Sequence, residues 1–115
     1  MLDQEEGQRL LEELRKKSKD AVLIVEGKKD KEALESLQIN ADFFLLCRQN
    51  KSLSESAESI AKKYKKAILL LDQDKQGRKM ERIITNYLQK LGVRVYKKIG
   101  RRLLYLANST TVEGI

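Results

Sequence analysis

The sequence predicts an α/β fold, a three-layer α/β/α sandwich around a mainly parallel four-stranded sheet. Three observations predict it. Short, continuously apolar runs (AVLIV at 21–25, FFLLC at 43–47, AILLL at 67–71) read as strands covered on both faces. Between them lie segments whose apolar residues recur at helical spacing. Strands alternating with helices build a parallel sheet through right-handed crossovers, with helices on both faces.

Each element follows from its residues. Residues 3–17 read as a helix with Leu10, Leu11 and Leu14 as a thin apolar stripe, and its early acids and late bases suit the helix dipole. After the first strand a short helix carries Ala33, Leu34 and Leu37 on one side. Ser52 and Glu55 form a capping box ahead of Leu53, Ala57, Ile60, Ala61 and Tyr64 at helical spacing. The third strand precedes a strongly amphipathic helix bearing Met80, Ile83, Ile84, Tyr87, Leu88 and Leu91, with Gly92 as its C-terminal glycine. VRVYK at 93–97 alternates, as an edge strand does. RRLLYLA at 101–107 reads as a last turn or two of helix, and NSTTVEGI as irregular. The expectation is one domain: a core at about 20–98, the N-terminal helix 3–17, and a C-terminal extension 99–115.

Composition excludes several classes. The 115 residues contain no histidine, which removes Ser-His and Cys-His nucleophile pairs and histidine metal sites. One cysteine excludes an internal disulfide framework and a zinc ribbon. No apolar run is long enough to cross a bilayer, and the acidic, polar MLDQEEGQRL is no secretory signal, so no membrane partner and a cytoplasmic location are expected. The net charge of +7 favours an anionic partner such as nucleic acid, RNA or DNA; the plain alternative is a heavily charged, solvated surface.

The sharpest feature is AILLLDQDKQG, where a buried strand runs straight into two carboxylates, Asp72 and Asp74. The first strand ends comparably in VEGKKD, with Glu26 followed by Gly27, Lys28, Lys29 and Asp30. In open α/β sheets ligands bind beyond the carboxyl ends of the strands, where strand order reverses. With strand order 2-1-3-4, that point falls between strands 1 and 3, and Glu26, Asp72 and Asp74 face one another. Three such carboxylates need a counter-charge. Magnesium suits one to three carboxylates, retained waters and a phosphate oxygen; manganese is the other candidate. Gly27 and Gly77 would permit close backbone approach by a ligand, or turns that other residues resist. Helix N-termini after both turns favour phosphate.

An apolar strand ending in Glu-Gly, then about forty-five residues later one ending in Asp-x-Asp-x-x-Gly ahead of an amphipathic helix, resembles the Toprim domain. The resemblance covers residues 21 to about 98. That family includes topoisomerases, primases, recombination proteins, nucleases and small ribonucleases that mature ribosomal RNA. The resemblance implies a Rossmann-like parallel sheet, magnesium at the Asp72–Asp74 pair, and nucleic-acid phosphodiester chemistry. It also implies that Glu26 moves a proton or shares the metal, and it matches Gly77 to the family's glycine. The sequence departs from the pattern at Arg78, where topoisomerase-type members often carry a carboxylate, and at Lys75 and Gln76, where primase-type members often have a third aspartate. The VEGKKD form and short length are closest to the ribonuclease-like members.

Plainer readings stand beside these. Asp74 alone reads as a helix cap, Asp30 as a first-turn acid, Glu113 as tail, and Cys47 as a small buried hydrophobe. Tyr64 and Tyr87 read as core. Lys28, Lys29, Lys75 and Arg78 are the phosphate-binding candidates, within a wider basic ring of Arg48, Lys51, Lys79, Lys97, Lys98, Arg101 and Arg102. Lys62, Lys63, Lys65 and Lys66 fall at the opposite end. The expected function is magnesium-dependent processing of nucleic-acid phosphodiesters, nuclease-like with RNA slightly favoured. The alternatives are a non-catalytic nucleic-acid-binding module within a larger complex and, more distantly, an aspartyl phosphotransferase.

Overall fold

In a computed structural model, which describes residues 5–48, 50–107 and 111–114, the apolar runs form one sheet with order β2-β1-β3-β4. The strands are β1 (Val22–Val25), β2 (Asp42–Leu45), β3 (Lys66–Leu69) and β4 (Arg94–Tyr96). Every pairing is parallel: Leu23 stands beside Phe43 on one side and Ile68 on the other, and Ile68 stands beside Tyr96. The expected order and layering are therefore observed, and the sheet is wholly parallel among the described residues. Residues 3, 4, 108–110 and 115, and the Arg48 side chain, lie outside the described part.

Alternation along the strands supplies two cores. Leu23, Val25, Ile68 and Leu70 face α1 (Glu5–Lys17), α2 (Lys28–Ser36) and α5 (Lys98–Leu106), meeting Leu11, Leu14, Leu34 and Leu103. Val22, Ile24, Ala67, Leu69 and Leu71 face α3 (Leu53–Lys63) and α4 (Lys75–Lys90), meeting Ala57, Ile60, Ile84 and Leu88. The central strands β1 and β3 are thus covered on both sides, which is why their sequences do not alternate.

Local signals account for the helix ends. The α3 box is present: Ser52 Oγ accepts from the Glu55 amide at 3.2 Å, and Glu55 Oε1 accepts from the Ser52 amide at 3.0 Å. Gly92 follows α4 at φ +84°, and the Val93 amide returns to the Leu88 carbonyl at 2.9 Å.

Four readings need correction. FFLLC is not a fully buried strand, because β2 is an edge strand with one neighbour and Phe43 and Phe44 stay half-buried. Cys47 falls in the 3-10 turn Leu46–Arg48 and is exposed. Tyr87 is 40% exposed on the rim of α4's stripe, and half-buried Tyr64 ends α3 with its hydroxyl donating to Asp42 at 3.1 Å. The last helix is longer than its apolar run: α5 starts at Lys98, and Gly100 lies so close to β3 that a Cβ there would stand 2.6 Å from the Leu69 carbonyl oxygen.

Candidate metal centre and nucleic-acid interface

The parallel register brings the ends of β1 and β3 together. The Leu70 amide donates to the Ile24 carbonyl at 3.0 Å, and the Cys47 amide donates to the Glu26 carbonyl at 2.9 Å, so backbone pairing runs to the sheet's rim. There Glu26 emerges, half-buried, with the Asp72 main-chain amide donating toward its carboxylate. Its pKa is raised, by burial first, then by the charge of Asp72 and, less strongly, those of Asp30 and Asp74. Glu26, Asp72 and Asp74 therefore share one neighbourhood.

The two aspartates are held differently. Asp74 caps α4: its Oδ1 accepts the Gly77 amide at 2.8 Å, so the plain reading as a helix cap is realised here. Gly77 is needed because α4 starts hard against the preceding turn. A Cβ at Gly77 would stand 2.0 Å from the Asp72 carbonyl oxygen, so the close approach is by the chain's own backbone. Gly27 differs. It is extended at φ −152°, and an added Cβ would meet nothing within 4 Å, so it leaves space at the start of α2 and no turn requires it.

Asp72 Oδ1 accepts the Val112 amide at 2.8 Å. Val112 is buried in the 3-10 turn Val112–Gly114, which packs on α2. Sequence reasoning left this segment as irregular tail and missed its return to the site. A buried valine in an otherwise polar end was the available signal. Asp30 is buried, sits at the third position of α2, and accepts the Gly27 amide at 3.0 Å. Its pKa is raised, by burial first, with Asp72 and Glu113 adding to it, so Glu113 also lies within electrostatic reach.

The donors at this rim are all carboxylate oxygens. Among the described residues no three acidic, cysteine or histidine groups form a ready-made cage. The donor set still fits a hard divalent cation held by a carboxylate pair with waters completing the shell, because Glu26 and the aspartates crowd negative charge that a cation would neutralise.

Gln73, between the two aspartates in sequence, lines a cavity of about 470 Å3 with Arg78, Arg82, Lys97 and Arg101, and none of the three carboxylates lines it. Lys75 and Lys79 border the adjoining face with Arg78 and Arg82. Lys28 and Lys29 are exposed at the first turn of α2, next to Glu26 in sequence. The wider ring is only partly assembled. Lys51 bonds Ser59 on α3 at 2.8 Å and lines a cavity with Lys62 and Lys63, so it belongs with the opposite cluster. Arg102 is tied to Glu6 of α1. Two members of the basic cavity's support escaped the sequence reading. Arg82 lies one helical turn beyond Arg78 on α4, a spacing that could have revealed it. Glu81 is 1% exposed on α4's apolar stripe, where it accepts Arg101 Nε at 2.8 Å and Gln73 Nε2 at 3.2 Å. A charged residue on that stripe was its signal.

A parallel, doubly wound sheet with acids at its switch point defines a class of open α/β domains whose ligands bind beyond the carboxyl ends of the strands. The chain belongs to the Toprim domain family, whose sequence profile matches residues 21–102. A UPF0292 protein of Methanocaldococcus jannaschii is 32% identical over 100 residues, covering 87% of this chain and 77% of its own. A UPF0292 protein of Pyrococcus abyssi is 32% identical over 96 residues, covering 84% and 70%. A solved structure of a protein from Aquifex aeolicus shares the fold with a TM-score of 0.79 and 30% identity, over 94% of this chain and 96% of that one. Membership brings the family's general association with divalent metals and nucleic acids. No helix among the described residues is long and apolar enough to cross a membrane.

Proposed function

We propose that the protein is a magnesium-dependent nuclease acting on nucleic-acid phosphodiesters, RNA slightly favoured. The observation that carries this reading is the convergence of Glu26 with Asp72 and Asp74 at the β1–β3 switch point, with Gln73 between the aspartates lining a cavity of arginine and lysine. Asp72 and Asp74, each oriented by a main-chain amide on Oδ1, would hold the cation. When bound, magnesium, or manganese in its place, supplies polarisation of a phosphoryl oxygen and a counter-charge for the developing anion. Glu26 exchanges a proton with the attacking or leaving oxygen, or completes the metal shell. Lys28, Lys29, Lys75 and Arg78 bind flanking phosphates, and Gly27 leaves room for one at the start of α2.

Cleavage of mixed RNA and DNA substrates, with magnesium, manganese or chelator, tests this. Metal-dependent cleavage that disappears in a Glu26→Gln, Asp72→Asn double variant is expected; undiminished cleavage by that variant refutes the assignment. A second reading, a binding module without turnover inside a larger complex, is favoured by Val112's hold on Asp72 and by the absence of a ready-made carboxylate cage among the described residues. It predicts salt-sensitive binding that survives, or tightens with, loss of the carboxylates.

A further inference from the structure

The basic cavity at Gln73 reaches Lys97 at the end of β4. Lys97, at the carboxyl end of β4, also lines a second groove of about 370 Å3 around the sheet edge. That groove has an apolar floor of Leu10 from α1, Val95 and Tyr96 from β4, and Ile99 from α5. Lys17 and Lys98 border it with Lys97, against one acid, Glu13, while Arg102 on its rim is tied to Glu6. Lys17 rests 4.5 Å from the centre of the Tyr96 ring, on a flexible stem that can swing toward an anion.

The geometry points to this groove as a base-binding subsite for single-stranded nucleic acid, continuous through Lys97 with the phosphate-binding cavity at Gln73. This deepens the nuclease reading by naming its substrate class, and rests on it. A polyanion alone needs only cations, as in the first cavity. A groove that pairs an apolar, aromatic floor with a lysine rim fits a ligand with a flat apolar face and a charged backbone. An unstacked base with its phosphate has both. In a duplex the bases are paired and stacked, so an intact helix presents phosphates and leaves this floor unfilled. The strand would pass from the acids, over Gln73 and Lys97, and turn round the β4 edge.

The test is binding in chelator, so that cleavage plays no part. Fluorescence anisotropy compares labelled single strands of about ten nucleotides with blunt duplexes of the same sequence, and a 2-aminopurine placed along the single strand reports stacking. Wild type should bind the single strand about tenfold more tightly than the duplex and alter the 2-aminopurine signal at one position. Leu10→Glu, which places a carboxylate on the groove floor, should remove that preference and that signal, lowering single-strand affinity more than duplex affinity. Lys97→Ala, at a half-buried position that keeps its backbone bond at the start of α5, should weaken single-strand binding without loss of fold. Equal affinity for single strand and duplex, or a preference untouched by both variants, overturns the proposal. So does a change of oligomeric state in Leu10→Glu with binding unaltered, which would make the groove a protein contact. Failure of the nuclease reading would look different: no metal-dependent cleavage by wild type, with strand preference intact.

Discussion

Glu26 carries the tension of the site. Its pKa is raised because burial and then Asp72, Asp30 and Asp74 oppose its charge, so the ionised form disfavours the folded state. In chelator at neutral pH, Glu26→Gln should melt at a higher temperature than wild type, and added magnesium should narrow the gap by stabilising wild type more. Thermal denaturation in paired buffers checks both. Gly77→Ala should cost about 3 kcal/mol, because the new methyl collides with the Asp72 carbonyl, which is backbone and moves only with the turn. Urea denaturation measures it. Glu81 sits where the periodic stripe demands an apolar residue, yet it satisfies Gln73 and Arg101 together. Glu81→Ala removes this shared acceptor, but Arg101 stays half-exposed and Gln73 keeps its bond to the Leu71 carbonyl at 3.1 Å, so stability should fall by only about 1 kcal/mol.

At the scale of elements, the α3 cap gives a pH signature. The Glu55 pKa is lowered by the Ser52 amide and then by the Ser52 hydroxyl. A depressed acid stabilises above its unfolded pKa, near 4.5, and loses that contribution as pH falls through the lower folded value. Wild type should therefore out-melt Glu55→Ala at neutral pH, with the gap closing below pH 4.5. The turn Val112–Gly114 is the other telling element. Val112→Ala should cost about 2 kcal/mol by loosening its seat on α2. Hydrogen exchange should then rise at the Val112 amide, which Asp72 holds.

Across the whole molecule, the +7 charge is not evenly useful. Arg78 and Arg82 line the cavity beside Gln73, whereas Lys62 and Lys63 line a separate one behind β2. Charge reversal at Arg78 should weaken nucleic-acid binding for all sequences and flatten the salt dependence by about one unit of slope per lost phosphate contact. Reversal at Lys62 should change neither. Salt titrations of binding distinguish the two.

By itself the sequence determined the strand–helix alternation, the caps at Ser52, Asp74 and Gly92, and the placing of Glu26, Asp72 and Asp74 at strand ends. Those features rest on short-range physics: the period of apolar residues, the unpaired amides of a helix start, and a glycine where a helix stops. Right-handed crossovers leave a few ways to wind four such strands; the supposed order 2-1-3-4 is one of them, and the sheet adopts it. Only the tertiary structure decided that Val112 returns to Asp72 across 40 residues, that Glu81 joins Gln73 to Arg101, and that Lys51 turns away from the site. Such contacts follow no local period; they depend on which faces the packed sheet brings together, and a one-dimensional pattern carries no record of that.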